Sequence, residues 1–414
     1  MKELLRDTRV QRLLIANTLG SIGSGITIFS VPWLLVHQAG GNQAFRWATI
    51  GTTVVLIATT PYYGAWVDRH SRKTALLASE LWGLAATVAM AVLGLALGRF
   101  GLAQLMAIYF AGMFYYTLHY PAKFALVQQM FDRSQYQALT GLLEIQGQTA
   151  MMIAGGLGGI LVDHVPLWAI LLFDAATYLA SFLIQSTLPY TATHLTAPAG
   201  GSPPPPLAGA GTSSWSRVAE GWHWLRARPR LAIFFTCSLV PFVVLMAANY
   251  LLPIYVAQTL RVSAVYFAGG EIAFSLGAIL AGFWLPRLIS EHSAARTIPV
   301  TILVFLAGLL VVIVLRFPLA FLFAGTLLGF GNAGSRVARS ALLLHLVPNA
   351  VMGRVGGFYQ VLDRALRTIL VMAMVIIDTH GPPAGFMLLT GVCLLAFVGV
   401  LQTRTAARLP ATPT

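Results

Sequence analysis

Acid is scarce in this chain. Its 414 residues include 13 Asp and Glu, and charged residues of either sign make up 9%, where a soluble domain carries about a quarter. So little charge cannot cover a water-exposed surface, which excludes a soluble enzyme. A disordered chain is excluded too, because such chains are poor in apolar residues and this one is 57% hydrophobic. Cysteine is almost absent. Cys237 and Cys393 both lie in apolar blocks and read as small buried hydrophobes, not as a disulfide or zinc site. No G-x-x-x-x-G-K-[ST] loop occurs, so ATP drive within the chain is not expected and no cofactor is implied.

What the chain has in quantity is apolar sequence in long blocks, with a mean hydropathy of +0.77. A bilayer-spanning helix needs about 20 apolar residues. Blocks of that order lie at 11–36, 46–66, 75–97, 102–124, 139–162, 167–188, 232–257, 265–288, 297–315, 318–338, 354–377 and 383–402, and we number them spans 1 to 12. The fold expected is an all-α membrane protein with 12 transmembrane helices in two pseudo-symmetric six-helix halves. The basic start, MKELLRDTRVQR, leads into a block too long for a signal-peptide core and is read as the approach to span 1.

With both termini placed in the cytoplasm, most positive charges fall on that side. They include Arg6, Arg9 and Arg12 at the start of span 1, Arg69, Arg72 and Lys73 after span 2, Arg226, Arg228 and Arg230 before span 7, and Arg336, Arg339 and Arg354 around the facing ends of spans 10 and 11. Arg46, Arg99, Arg261 and Arg316 fall outside. This asymmetry follows the positive-inside rule and predicts a multi-pass protein of the cytoplasmic (inner) membrane, surrounded by lipid bilayer. It also accounts for the net charge of +13 without a nucleic-acid partner.

The chain divides into an N-terminal six-helix half (1–188), a cytoplasmic Pro/Gly-rich linker with an interfacial helix (189–230) and a C-terminal six-helix half (231–414). The linker, PYTATHLTAPAGGSPPPPLAGAGTSSWS, has the composition of a disordered or semi-extended spacer. After it, WSRVAEGWHWLRARPR sets Trp and Arg at helical spacing, the pattern of a helix on the inner membrane surface. The halves repeat. AKFALVQQM from Ala122 matches ARSALLLHL from Ala338, Gly64 matches Gly282 and Pro32 matches Pro253, at offsets of 216, 218 and 221 residues. Two such halves predict a substrate site at the repeat interface.

The most specific motif is GAWVDRHSRK, Gly64 to Lys73, between spans 2 and 3. Gly64 permits close helix approach, Asp68 is placed to pair with a cation, and Arg69, Arg72 and Lys73 hold the inner face. The motif resembles the signature of the major facilitator superfamily, G-x-x-x-D-R-x-G-R-R/K, with Ser71 where the pattern has glycine. The resemblance implies a loop that latches the inward gate. The second-half copy, GFWLPR, has Pro286 where the acid would stand, so a second latch there is weak.

In span 5, Gly141, Ala150, Ala154, Gly155, Gly158 and Gly159 fall on the positions of the superfamily's antiporter motif; as small residues they also allow close helix packing. VPWLL, PAKFALV, LPIYV and ARSALLLHLVPNAVMGRVGG are similar to the exporter branch that includes macrolide and enterobactin-type siderophore efflux proteins. That branch often has an acid where this chain has Ser24.

Ionisable residues inside a membrane are functional candidates by default, and a carboxyl surrounded by apolar groups retains a proton more readily than one in water. The order for proton coupling is Glu271, Glu144, Asp363 and Asp174. Asp363 and Arg367 stand one helical turn apart and can pair; Glu80 is read as a structural partner of Arg69 or Arg72. Spans 1, 4, 7 and 11 supply Asn17, Ser24, Tyr115, Tyr116, His119, Asn249, Tyr250, Tyr359 and Gln360. An aromatic, sparsely charged lining of that kind suits an amphipathic organic molecule.

Asp163-His164 and Asp378-Thr-His380 are a minor metal alternative; no structural metal is expected. The reading is a secondary active transporter, monomeric, that exports a small organic compound against protons. Lipid or metal transport on the same fold is the alternative, and a polytopic transferase lacks any catalytic cluster such as H-x4-D.

Overall fold

Lipid offers backbone amides no partner, so an apolar block that crosses it must close its hydrogen bonds internally as a helix. The computed structural model describes residues 2–131, 135–190, 214–291, 294–377 and 382–407, and these are almost wholly helical. In chain order they form α1 (Lys2–Arg6), α2 (Thr8–His37), α3 (Gly41–Arg69), α4 (Arg72–Leu97), α5 (Leu102–Met130), α6 (Tyr136–His164) and α7 (Leu167–Ser186). Then come α8 (Ser214–Arg226), α9 (Pro229–Ile254) with a π-helical turn Tyr255–Leu260, α10 (Ala264–Glu291), α11 (Ala294–Val314), α12 (Pro318–Leu346), α13 (Asn349–Ile377) and α14 (Pro382–Thr403). Spans 1–6 are α2–α7, and spans 7–12 are α9–α14.

Eight helices are long and apolar enough to cross a membrane by length and composition, among the described residues. The other long ones, α3, α5, α12 and α13, have 29 residues each, enough for roughly 43 Å at the helical rise, but they carry more polar side chains.

Local chemistry sets the boundaries. Asp7 caps α2 by accepting from the Arg9 amide at 2.8 Å. Gly40 (φ 74) reverses the chain between α2 and α3, a left-handed conformation that glycine adopts freely. Ser71 accepts from the Thr74 amide and caps α4. The residue that departs from the loop signature therefore starts the next helix, a role glycine's missing side chain cannot fill.

The chain forms two compact units. The first comprises α1–α7 with residues 263–271; the second comprises α8, α9, α10 from Ile272 onward, and α11–α14. In the first unit an apolar core of Val10, Leu13, Leu76, Leu126, Val127 and Leu139 joins α2, α4, α5 and α6 at the end that carries the basic loops. In the second, α10 and α12 approach backbone to backbone, since a side chain on Gly277 would meet the Thr326 carbonyl and one on Gly329 that of Phe274. Here α8 does not lie alone. Glu220 pairs with Arg354 at 2.9 Å, Trp222 stacks on Phe358 at 5.5 Å, and Gly221 lies against the Arg354 carbonyl, so α8 is docked on α13.

Candidate functional site

Small residues on α2 and α4 open room for polar side chains inside the first unit. The α7 helix runs antiparallel to α2, so residue numbers fall along one as they rise along the other. A side chain on Gly20 would touch Ser181, and one on Gly23 would collide with Thr177 and reach 2.9 Å from Asp174 Oδ1. A side chain on Gly83 of α4 would strike the Tyr178 ring. The α7 stripe Asp174, Thr177, Tyr178, Ser181 and Gln185 is held in the interior by these glycines, and all five residues are buried.

Asp174 is 1% exposed. Its Oδ2 accepts from the Thr27 hydroxyl at 2.6 Å, and its Oδ1 has no partner among the described residues. It lines a small cavity with Ser24, Thr27, Thr87, Tyr109 and Tyr178. Ser24, where the exporter branch often has an acid, bonds Tyr116 at 2.9 Å.

Toward the basic end lies a second carboxylate, Glu80 of α4, fully buried. Its Oε1 accepts from Ser181 at 3.0 Å and Gln185 at 2.9 Å and stands 3.4 Å from His119 Nδ1. The same nitrogen lies 3.1 Å from the Tyr115 hydroxyl and 3.3 Å from Ser79 Oγ. One ring nitrogen cannot donate to three oxygens. Protonated, it donates to the Glu80 carboxylate; bare, it accepts from Tyr115 or Ser79. The Tyr115 ring packs edge-on against Tyr178 at 4.7 Å, so the Glu80 and Asp174 neighbourhoods share a wall. Asn17, 2% exposed, has no partner for either amide atom among the described residues.

Residues 13–369 match the sequence profile of the Major Facilitator Superfamily. The chain belongs to that superfamily. It is a membrane transporter by family and not an enzyme. The fold agrees. The nucleoside transporter NupG superposes with a TM-score of 0.68 over 96% of this chain and 99% of that one at 14% identity. A bacterial homologue of the iron transporter ferroportin, in the inward-facing state, gives 0.68 over 96% and 98% at 14% identity. The POT-family transporter PepTSo gives 0.69 over 96% and 98% at 12% identity. No curated protein matches the chain.

This major facilitator holds the described part of its signature loop with cations on helix ends. Arg72 donates to the Ala125 carbonyl at 2.7 Å. Lys73 donates to the Ser186 and Leu188 carbonyls, where a positive charge suits the C-terminal end of α7. The surroundings of Gly64, Asp68, Arg69, Gly141 and Glu144 lie outside what is described, as do residues Asp378 and His380. The rest of the span 5 stripe is packed. Gly158 lies against Phe29, Gly159 against Ala268 and Ala264, and a side chain added at Gly155 would come within 3.0 Å of the Glu271 side chain.

Two readings need correction. Glu80 pairs with His119, Ser181 and Gln185 rather than with Arg72, because the turn of α4 carries it inward, away from the loop. Arg339 is not a loop charge, because α12 continues past it to Leu346. The pairing of Asp363 with Arg367 that their one-turn spacing allows is present, with Arg367 donating at 2.7 Å.

The polar residues assigned to a substrate lining are drawn from both units. Asn17, Ser24, Tyr115, Tyr116 and His119 gather in the first unit's interior. In the second unit Asn249 and Gln360 are exposed and Tyr250 is buried, while the Tyr359 hydroxyl donates to the Ala232 carbonyl. Asp163 and His164 are exposed at the end of α6. Ser79, Ser181 and Gln185 are additions. The i, i+3, i+7, i+11 spacing of Asp174, Thr177, Ser181 and Gln185 is a one-face helical stripe, the signal that finds two of them.

Proposed function

We propose that this transporter couples proton entry to the export of a small amphipathic organic compound across the cytoplasmic membrane by alternating access, with both termini inside. The observation that carries the reading is a pair of sealed carboxylates, Asp174 and Glu80, each with an oxygen that has no partner among the described residues and with His119 beside Glu80. Intramembrane acids held by hydroxyls and amides, and not by permanent cations, are equipped to gain and lose a proton. Glu271, packed on the glycine stripe, is the next candidate. Outward direction is supported by the likeness of that stripe to the antiporter motif, and the substrate class by the likeness to the macrolide and siderophore exporter branch.

The test uses purified protein in liposomes with a pH-sensitive dye inside and an imposed pH gradient. Siderophores, macrolides, cationic dyes and divalent metals are added one at a time. Substrate-dependent proton movement is expected, lost in Glu80→Gln and Asp174→Asn while downhill exchange persists. Solute equilibration without any linked proton movement would sink the antiporter reading.

A further inference from the structure

The polar wall of the first unit's small cavity is made of acceptors. Asp174 lines it beside Ser24, Thr27, Thr87, Tyr109 and Tyr178. The residue is buried, and its Oδ1 has no partner among the described residues. Among those residues the lining includes no Lys, Arg, His, Asn or Gln, so hydroxyls are the other polar side-chain groups on the wall.

Each hydroxyl proton is already committed. Ser24 donates to the Gly20 carbonyl at 2.6 Å, Thr27 to Asp174 Oδ2 at 2.6 Å and Thr87 to the Gly83 carbonyl at 2.8 Å. Tyr109 faces Thr49, and Tyr178 faces Ser24. Thr49 and Ser24 give their own protons to the Phe45 and Gly20 carbonyls, so the tyrosines are the donors in those contacts. A hydroxyl that has given its proton away presents lone pairs only. The cavity therefore gathers one carboxylate oxygen and hydroxyl lone pairs from α2, α4, α5 and α7.

A carboxylate buried in a membrane is costly until its charge is matched. Water would complete hydrogen bonds here without matching that charge, and an anion is repelled. An organic guest does not fit. The cavity measures about 20 Å³, where one water needs about 10–15 Å³. A bare metal ion meets both demands, because carboxylate and hydroxyl oxygens are the ligands that hard cations take. The other acid of this interior, Glu80, is held by Ser181, Gln185 and His119 and does not line the cavity. One carboxylate balances one positive charge, so a monovalent ion leaves the site neutral and a divalent ion does not.

We propose that Asp174, Thr27, Thr87 and Tyr109 form a binding site for a bare monovalent metal cation of the sodium class. The inference goes beyond the transport reading above and does not depend on it. The ion binds the ionised carboxylate, so it and a proton on Asp174 exclude each other.

Full-length protein in maltoside micelles, kept sodium-free in choline chloride at pH 8, is incubated with radioactive sodium and the bound ion is counted by scintillation proximity. Saturable binding of about one ion per chain is expected, displaced by unlabelled sodium chloride and not by further choline chloride. Asp174→Asn should abolish it. Thr87→Val, which keeps the carboxylate, should weaken it about tenfold through loss of one oxygen ligand. Gly282→Ala in the second unit should bind like the parent. Size-exclusion profiles identify the variants that fold, and Tyr109→Phe, with the same expected loss as Thr87→Val, replaces any that does not. No saturable binding, displacement by choline as readily as by sodium, or binding untouched by the cavity variants overturns the proposal. Displacement by calcium chloride at lower concentration than by sodium chloride overturns the monovalent assignment. The measurement needs no gradient and no transported compound. Proton coupling without sodium binding sinks this proposal alone, and sodium binding without proton coupling sinks the transport reading alone.

Discussion

His119 Nδ1 stands 3.4 Å from Glu80 Oε1, with both side chains buried. A histidine and a carboxylate sealed together form a pair whose charge depends on how many protons it holds. Removing one member leaves the other without its compensation.

Glu80→Ala is therefore expected to cost about 3 kcal/mol, because it orphans His119, Ser181 and Gln185 at once. Glu80→Gln keeps the shape and most of the hydrogen bonds and should cost about 1 kcal/mol. Denaturant or thermal unfolding in detergent reads both. Equal losses for the two variants would show that the carboxylate's charge plays no part in the site.

The Thr27 hydroxyl donates to Asp174 at 2.6 Å. Thr27→Val should destabilise by about 2 kcal/mol in the presence of Asp174 and by much less beside Asp174→Asn, as a hydrogen bond to a charged group requires. A double-mutant cycle on unfolding midpoints measures the coupling. Additive losses would mean that the carboxylate is held by something else.

Gly83→Val places a Cβ within 2.6 to 2.9 Å of three Tyr178 ring atoms. Overpacking of this kind is expected to cost about 1–3 kcal/mol and to disturb the Tyr115–Tyr178 contact. Gly282→Ala is the contrast, since an added Cβ there meets open space among the described residues; its unfolding midpoint should stay within error of the parent.

Outside the spans, the Arg9 guanidinium 2.7 Å from Asp7 holds that carboxyl below its usual range. A carboxyl lowered in the folded state adds stability above its ordinary value, and this is lost as pH falls through the folded-state value. Asp7→Ala should thus cost about 1 kcal/mol at neutral pH, in line with loss of a helix cap, and progressively less in acid. Unfolding midpoints of parent and variant should converge as the pH is lowered; parallel curves would contradict this.

Helix order was legible because each apolar run is long enough to span, and Gly or Pro breaks off several of them, as at Gly40, Gly98 and Pro166. Helix ends were less so, since α4 begins at a cap, Ser71, that precedes the apolar block. The block that ended at residue 338 likewise hid Arg339 inside a helix running to Leu346. The site was legible only in outline. Asp174, Tyr115 and His119 announce themselves as polar groups within apolar runs. Glu80 was matched to neighbouring cations because only local spacing is visible in a sequence, whereas its hydrogen-bond partners come from residues 101 and 105 positions away. The glycines that admit them, Gly20, Gly23 and Gly83, carry no chemistry of their own to mark them.

The α7 stripe that carries Asp174 is admitted by small residues on α2 and α4. An added methyl on Gly23 would run into Thr177, and one on Gly83 into the Tyr178 ring. A close-packed interior has little slack to absorb either, so these two positions set the size limit on which the first unit's polar interior depends.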